Sequence, residues 1–277
     1  MKARPLMKYP GSKQLMMKKL LRHLPRSGDV LIDVFTGSAS VALNTSYRRY
    51  LLNDSNKDLI TLYKLIQSNP ELVIKETKTL FRAETNNPDY YYGVRDAFNL
   101  MTCLEDRAIV LLYLSRHAFN GLLRYNSQNQ FNSPFGKYKQ PYFPEREIRY
   151  FAEKLEYAEF HSLDFSTFIN LAVASIDGKR DKVCAYADPP YLKHDQQSTV
   201  FTEYTAQGFK QDRHIELDKL LTDNRHHFDR VLLSNHDGKL LRETYKGAQR
   251  IVRFKVPRTI SAKTKERKPA PEVLLYY

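Results

Sequence analysis

The chain has 277 residues, 42% of them hydrophobic, and a formal net charge of +13. That length suits one large domain or two modest ones, and that charge favours a polyanionic partner, nucleic acid ahead of an anionic membrane, over a surface that is merely kept soluble. No apolar run approaches the roughly 20 residues of a spanning helix, no secretory h-region opens the chain, and the two separated cysteines, Cys103 and Cys184, suit reduced thiols in a cytosolic protein.

In chain order, "KYPGSK" (8–13) first suggests a phosphate loop, but it lacks the spacing of one and reads as a Tyr-Pro-Gly turn. "DVLIDVFTGSASVALN" (29–44) reads as a strand, a turn of small residues and the start of a helix. "YLLND" (50–54) is a second apolar run ending in an acid, and "KDLITLYKLIQ" (57–67) has helical spacing. Residues 68–114 are predicted to be mainly helical. Then "NGLLRYNSQNQFNSPFGKYKQPYFP" (120–144) is polar and rich in turn residues, and no acid occurs between Arg107 and Pro144. A low-charge structural insert is one reading; interleaved Arg, Asn and aromatic residues favour a nucleic-acid-reading surface.

Strand-like runs ending near acids return at 156–165, 182–191 and 229–238, with a helical stretch at 214–228. This alternation predicts an α/β fold with a largely parallel sheet, interrupted by an insertion at 56–144. "RIVRFKVPR" and "EVLLYY" are predicted to pair as a hairpin at one sheet edge. Residues 239–268 hold eleven Lys/Arg against two Glu, which suits phosphate contacts or, for "SAKTKERK", a solvated segment equally. The eight histidines show no metal-ligand spacing, so no metal is implied.

Two features carry chemistry. The first βα turn of an open sheet is where ligands bind, and here Asp33 is followed by Gly37, Ser38 and Ala39, with Asp54 closing the next strand. An acid there can hold ribose hydroxyls, so the pair suggests an adenosine-containing cofactor, though each alone is weak. The second is "ADPPY" (187–191), where prolines stop a buried strand just after Asp188. An Asp-Pro turn is one reading. The other is a site for an exocyclic amine: the Asp188 carboxylate and the Pro189 carbonyl accept its two N–H groups, and Tyr191 stacks on the base. Such a base must first leave the duplex stack.

With these blocks in order, the sequence resembles the DNA adenine N6-methyltransferases, the type that methylates adenine in GATC. The resemblance covers nearly the whole chain and rests on "DVFTGSASV", "LLNDSNKDLI", "FNGLLRYNSQNQFNSPFGKYKQPYFPE", "DPPY" and "LLSNHD". It implies a seven-stranded, mostly parallel, Rossmann-like methyltransferase fold using S-adenosylmethionine, with residues 1–55 and 145–277 catalytic and residues 56–144 an inserted helical target-recognition domain. Its DNA-reading hairpin or loop is expected at about 116–140. The resemblance assigns Asp188, Pro189, Pro190 and Tyr191 to catalysis. It assigns Tyr9, Lys13, Asp33, Phe35, Gly37, Ser38, Asp54, Asp164 and Phe165 to the cofactor pocket. Arg124 matches a guanine reader, Leu122, Pro134 and Tyr138 match other recognition contacts, and Phe119 and Asn120 match residues that enter the duplex. Lys8, Arg95, Arg116, Asn126, Asn132 and Lys137 are further candidates for DNA contact.

Three positions depart from the family pattern: Ala39 replaces a usual glycine and requires a negative φ, Phe119 replaces tyrosine, and Lys137 replaces arginine. The expected partner is double-stranded DNA, acted on by a monomer in the cytoplasm of a bacterium or encoded by a phage. Methylation of another sequence or of RNA, and a non-catalytic DNA-binding relative, are the alternatives; the intact Asp188–Tyr191 block argues against the last.

Overall fold

The computed structural model describes residues 4–9, 11–176, 181–192, 209–256 and 270–277. Among the described residues, seven strands form one sheet: β1 (Ser27–Asp33), β2 (Ser46–Asn53), β3 (Ala158–His161), β4 (Val183–Ala187), β5 (Arg230–His236), β6 (Arg250–Val256) and β7 (Ala270–Tyr276). Their order is β3-β2-β1-β4-β5-β7-β6. The first five pair in parallel, and β7 runs antiparallel between β5 and β6. The predicted C-terminal hairpin therefore forms at one edge, with its second strand on the inside.

The helices are α1 (Met17–Leu20), α2 (Lys57–Ser68), α3 (Pro70–Lys78), α4 (Pro88–Leu100), α5 (Leu104–His117), α6 (Glu145–Lys154), α7 (Phe165–Ala174), α8 (Gln211–Asn224) and α9 (Lys239–Thr244). Both sheet faces are covered, which explains why β4 reads as an unbroken apolar run: all five of its residues are buried. Alternate residues divide between two cores. Leu31, Leu52, Tyr186, Leu232 and Leu274 join the side packed by α2 to α6. Val30, Ile32, Ala185, Leu233 and Leu275 join the side packed by α7, α8 and α9.

Asparagine side chains set the entries of the middle helices. Asn56, Asn69 and Asn87 each accept a backbone N–H three residues on, and Pro70 and Pro88 follow two of them as first helical residues. Across these helices, Arg107 makes a two-pronged ion pair with Asp58 (2.7 and 2.8 Å), and the Tyr125 hydroxyl donates to the same carboxylate (3.1 Å). That knot fastens α2, α5 and the polar stretch after α5.

Two expectations are corrected. The helix predicted to start after the small-residue turn shrinks to a single 3₁₀ turn, Ala42–Asn44. Its carbonyls are taken by side chains instead: Asn44 donates to the Ser40 carbonyl (2.9 Å) and Thr45 to that of Val41 (2.9 Å). Ala39 also has φ +53°, not a negative value, so the methyl is carried in the left-handed region. The "SAKTKERK" stretch lies outside the described residues. Among the described residues, no helix is long and apolar enough to cross a membrane, and no group of three or more His, Cys, Asp or Glu side chains is placed to hold a metal ion.

Candidate active site

Strand order reverses between β1 and β4, which opens a crevice at their carboxyl ends. Asp33, the last residue of β1, lies in register with Tyr186 of β4, and the Val34 N–H donates to the Tyr186 carbonyl (2.9 Å). Asp33 and Asp188 are thereby brought to one crevice from positions 155 residues apart in sequence.

On the β1 side, the turn 34–40 is held open by side chains. Gly37 has φ +45°, and a Cβ there would meet the Tyr9 ring at 3.1 Å, so Tyr9 packs directly on bare backbone. Each oxygen of Asp54 accepts one backbone N–H, from Gly37 (3.0 Å) and from Asn56 (2.9 Å). Burial raises the Asp54 carboxyl, and those two N–H groups pull it back. Ser12, Ser38 and Ser40 form a closed triangle of hydroxyls with edges of 2.8 to 3.1 Å. Asp33 is 1% exposed; its Oδ2 takes a long bond from Thr36 (3.4 Å), and its Oδ1 has no hydrogen-bond partner among the described residues. Burial, with the nearby Asp188 charge, pushes its carboxyl up to about 8.

An aromatic cluster adjoins this turn. Phe35, Phe165 and Phe209 pack with ring centroids 5.5 to 5.9 Å apart. Asp164 caps α7 by accepting the Ser166 N–H (3.0 Å) and also pairs with Arg213, whose guanidinium lies 4.3 Å from the Phe165 ring centroid. The residues fit an adenosine-bearing methyl donor: aromatic faces for a flat base, a carboxylate beside them, and an orphaned buried acceptor in Asp33.

On the β4 side, Lys13 joins the tetrapeptide rather than the turn. Its Nζ pairs with Asp188 Oδ1 (2.8 Å) and donates to the Tyr191 hydroxyl (2.5 Å) and the Gly11 carbonyl (3.2 Å). Burial alone would lower Lys13, but the Asp188 and Glu272 carboxylates outweigh it and hold the ammonium above its ordinary range. Burial pushes Asp188 up to about 6, with Lys13 pulling it back. Pro189 is buried, Pro190 half-buried, and the His236 ring meets the Tyr191 ring edge-on at 4.3 Å.

The reading candidates fall into separate groups. Ala118 and Phe135, and Tyr125 and Phe131, form isolated antiparallel bridges, so residues 118–135 make an irregular ribbon rather than a regular hairpin. Near its base, Phe119 is 48% exposed, and its N–H donates to the Pro134 carbonyl (2.8 Å). The Asn120 N–H donates to the Tyr138 hydroxyl (2.9 Å), and Lys8 lies 4.0 Å from the Tyr138 ring centroid. Gly121 has φ +67°, and a Cβ would collide with that of Lys8 at 2.3 Å. Lys8, Phe119, Asn120, Pro134 and Tyr138 thus stand together.

Farther along, Arg124 donates to Asn132 through its side-chain oxygen (2.6 Å) and its carbonyl (2.9 Å). Arg95, Asn126 and Asn132 line a second cleft of about 380 Å³ beside α4. Leu122 is buried, exposed Lys137 has φ +53°, and half-buried Arg116 lies 5.3 Å from the Tyr142 ring centroid.

Sequence reasoning missed Ser12, Ser40, Phe209, Arg213, His236 and Glu272. Ser12, Ser40, His236 and Glu272 lie within quoted blocks ("KYPGSK", "DVFTGSASV", "LLSNHD" and "EVLLYY"), whereas Phe209 and Arg213 gain meaning only from the fold.

Residues 9–260 match the family described as D12 class N6 adenine-specific DNA methyltransferase. The chain is 40% identical to the DNA adenine methylase of Haemophilus influenzae, over 100% of this chain and 94% of that one. It is 38% identical to the DNA adenine methylase of Escherichia coli (strain K12) and 37% identical to that of Vibrio cholerae, in each case over 100% of this chain and 96% of the other.

Proposed function

The chain belongs to the D12 class of N6 adenine-specific DNA methyltransferases and is an adenine-specific DNA methyltransferase; from that premise we propose that it methylates N6 of a flipped-out adenine in duplex GATC, using S-adenosylmethionine. The observation that carries this reading is the meeting of Asp188 and Asp33 at the crevice where strand order reverses.

Bound S-adenosylmethionine supplies an electrophilic methyl group on a sulfonium. The chain's own residues do the rest. Phe35, Phe165 and Phe209 take the cofactor's adenine, with Asp164 at its edge, and Asp54 takes the ribose hydroxyls. Asp33 accepts from a donor on the amino-acid end, which would restore its charge. Tyr9, Gly37 and Ser38 shape the wall between them. Asp188 and the Pro189 carbonyl hold the two N–H groups of the target amine, so that its lone pair turns out of the ring toward the methyl group. Tyr191 covers the base. Prolines 189 and 190 fix the spacing because their φ cannot vary.

Residues 56–144 are proposed as the inserted target-recognition unit, and residues 1–55 and 145–277 as the catalytic one. Arg124 reads a guanine by its guanidinium edge, once Asn132 gives way to O6 and N7. Phe119 and Asn120 fill the space the adenine leaves, Leu122, Pro134 and Tyr138 border the site, and Lys8, Arg95, Arg116, Asn126, Asn132 and Lys137 hold backbone or flanking groups. The A-form major groove is closed to such a ribbon, which favours DNA over RNA.

The test is incubation with methyl-labelled S-adenosylmethionine and duplexes that differ only at one GATC. Label on adenine N6 at that site is expected. Label that ignores the site would remove GATC from the reading, and label on cytosine would remove the base assignment.

A further inference from the structure

Asp188 is engaged by the chain's own Lys13. The buried Lys13 ammonium donates to the Tyr191 hydroxyl (2.5 Å) and the Gly11 carbonyl (3.2 Å), and the same nitrogen forms an ion pair with Asp188 Oδ1 (2.8 Å). Lys13 is 5% exposed, so it cannot simply turn out to water. A target amine that takes Oδ1 therefore meets an oxygen already facing an ammonium. For the amine to stand there, the Lys13 ammonium has to move to a new acceptor inside the protein.

One candidate acceptor stands nearby. Glu272 Oε2 on β7 is buried and has no hydrogen-bond partner among the described residues. Glu272 is paired in register with His236 of β5, whose ring packs on Tyr191. Its charge reaches both partners of the ion pair, raising Lys13 and Asp188 alike. Among the described residues, the other ionisable groups around the pair are Tyr186 and Tyr191 from the β4 side, His236 from β5 and Asp33 from β1, and burial raises the Tyr186 phenol well above its ordinary range.

We propose that Lys13 is a placeholder for the target amine and that Glu272 is the positioning residue to which its ammonium is handed when adenine enters. In the empty pocket Lys13 keeps Asp188 ionised and aimed. When the base arrives, the Lys13 ammonium shifts to Glu272 Oε2, and the amine N–H takes its place on Asp188. No proton changes owner, and the buried charge count is the same before and after. The inference rests on the reading that Asp188 holds the amine.

The test uses the full chain, a GATC duplex and S-adenosylmethionine, with Glu272→Gln, Lys13→Met, the double variant and Asp188→Ala. Glu272→Gln should lower kcat by about ten- to a hundredfold, while KM for DNA and cofactor affinity hold. The acid limb of its pH–rate profile should also move to lower pH, because a negative charge that raises Asp188 is gone. On the Lys13→Met background, Glu272→Gln should cost nothing further. An unchanged kcat for Glu272→Gln, or an equal loss on both backgrounds, overturns the handover.

Should Glu272→Gln fold poorly, the parent chain decides the matter in a crystal with a GATC duplex and a non-transferring cofactor analogue. Lys13 within hydrogen-bond distance of Glu272 supports the proposal, and Lys13 still on Asp188 with the base seated overturns it. Asp188→Ala separates the two levels. If that variant still transfers methyl, the amine reading fails and the handover with it. If it is inactive while Glu272→Gln turns over at the parental rate, only the handover fails.

Discussion

The crevice between β1 and β4 and the ribbon at 118–138 solve opposite problems with similar residues. In the crevice, charged groups are buried and some oxygens are left without partners: Asp33 Oδ1 and Glu272 Oε2 among them. In the ribbon, Phe119, Pro134 and Lys137 reach solvent, and the backbone is the part that is fastened. The Ser133 hydroxyl, for example, donates to the Leu122 carbonyl (2.6 Å) and accepts the Arg124 N–H (3.1 Å). The ribbon also needs left-handed backbone at Asn120, Gly121, Asn129 and Lys137, three of which are not glycine. A reacting site benefits from unsatisfied acceptors already aimed, since their reorganisation is completed in folding. A reading surface benefits from exposed groups on a backbone that cannot sag.

The comparison can be broken or sharpened by substitution. The largest effect is expected where the ribbon is tied down. Asp58→Ala strands Arg107, which is 14% exposed, and frees Tyr125, so stability to urea should fall by about 3–5 kcal/mol. If the ribbon depends on this knot, KM for DNA rises as well; a variant with full stability and unchanged KM would show that the ribbon stands alone.

Next comes the crevice. Asp188→Ala should lower methyl transfer by about 10²–10³-fold or more, with DNA binding largely retained in a filter or anisotropy assay. Comparable loss in binding would mean that Asp188 serves the surface and not the chemistry. Arg124→Ala should cost about 1–3 kcal/mol in discrimination at one guanine, read as the ratio of kcat/KM on GATC and a site altered at that base. An unchanged ratio would assign the reading to another residue.

The pH effect is smaller and has a definite sign. Asp188 accepts the amine only when ionised, and its carboxyl is raised to about 6. Ionised Asp188 is therefore lost as pH falls through about 6, and kcat/KM should drop about tenfold per pH unit below that point and level off above it. A profile flat down to pH 5 would contradict the burial that raises this group. The smallest effect is expected at Ala39. Replacing it by glycine relieves about 1–2 kcal/mol of left-handed strain but gives up a buried methyl and adds chain entropy, each about 0.5–1 kcal/mol. Thermal unfolding of Ala39→Gly should move by no more than a few degrees.

Much of the sheet was legible along the chain. Runs such as "VCAYA" and "RVLLSNH" are long enough only for strands, and their acids fall at the carboxyl ends, where parallel sheets bind ligands. The tetrapeptide at 188–191 could be read as a candidate pocket because two prolines after an acid are an expensive way to end a strand. The helix after the first turn was not legible, since Asn44 and Thr45 capture carbonyls that apolar spacing alone assigns to a helix.

By itself, then, the sequence determined most of the local elements, the acid at or just beyond the end of each parallel strand and the polar, acid-free stretch that follows α5. These depend on neighbours a few residues apart. Only the tertiary structure decided that Lys13 sits on Asp188, that Asp33 faces the same crevice, and that a strand from the chain's last residues carries Glu272 to them. Those contacts depend on strand order and on the antiparallel entry of β7 between β5 and β6. Strand order is set by how two cores are packed at once, and residue spacing does not record it.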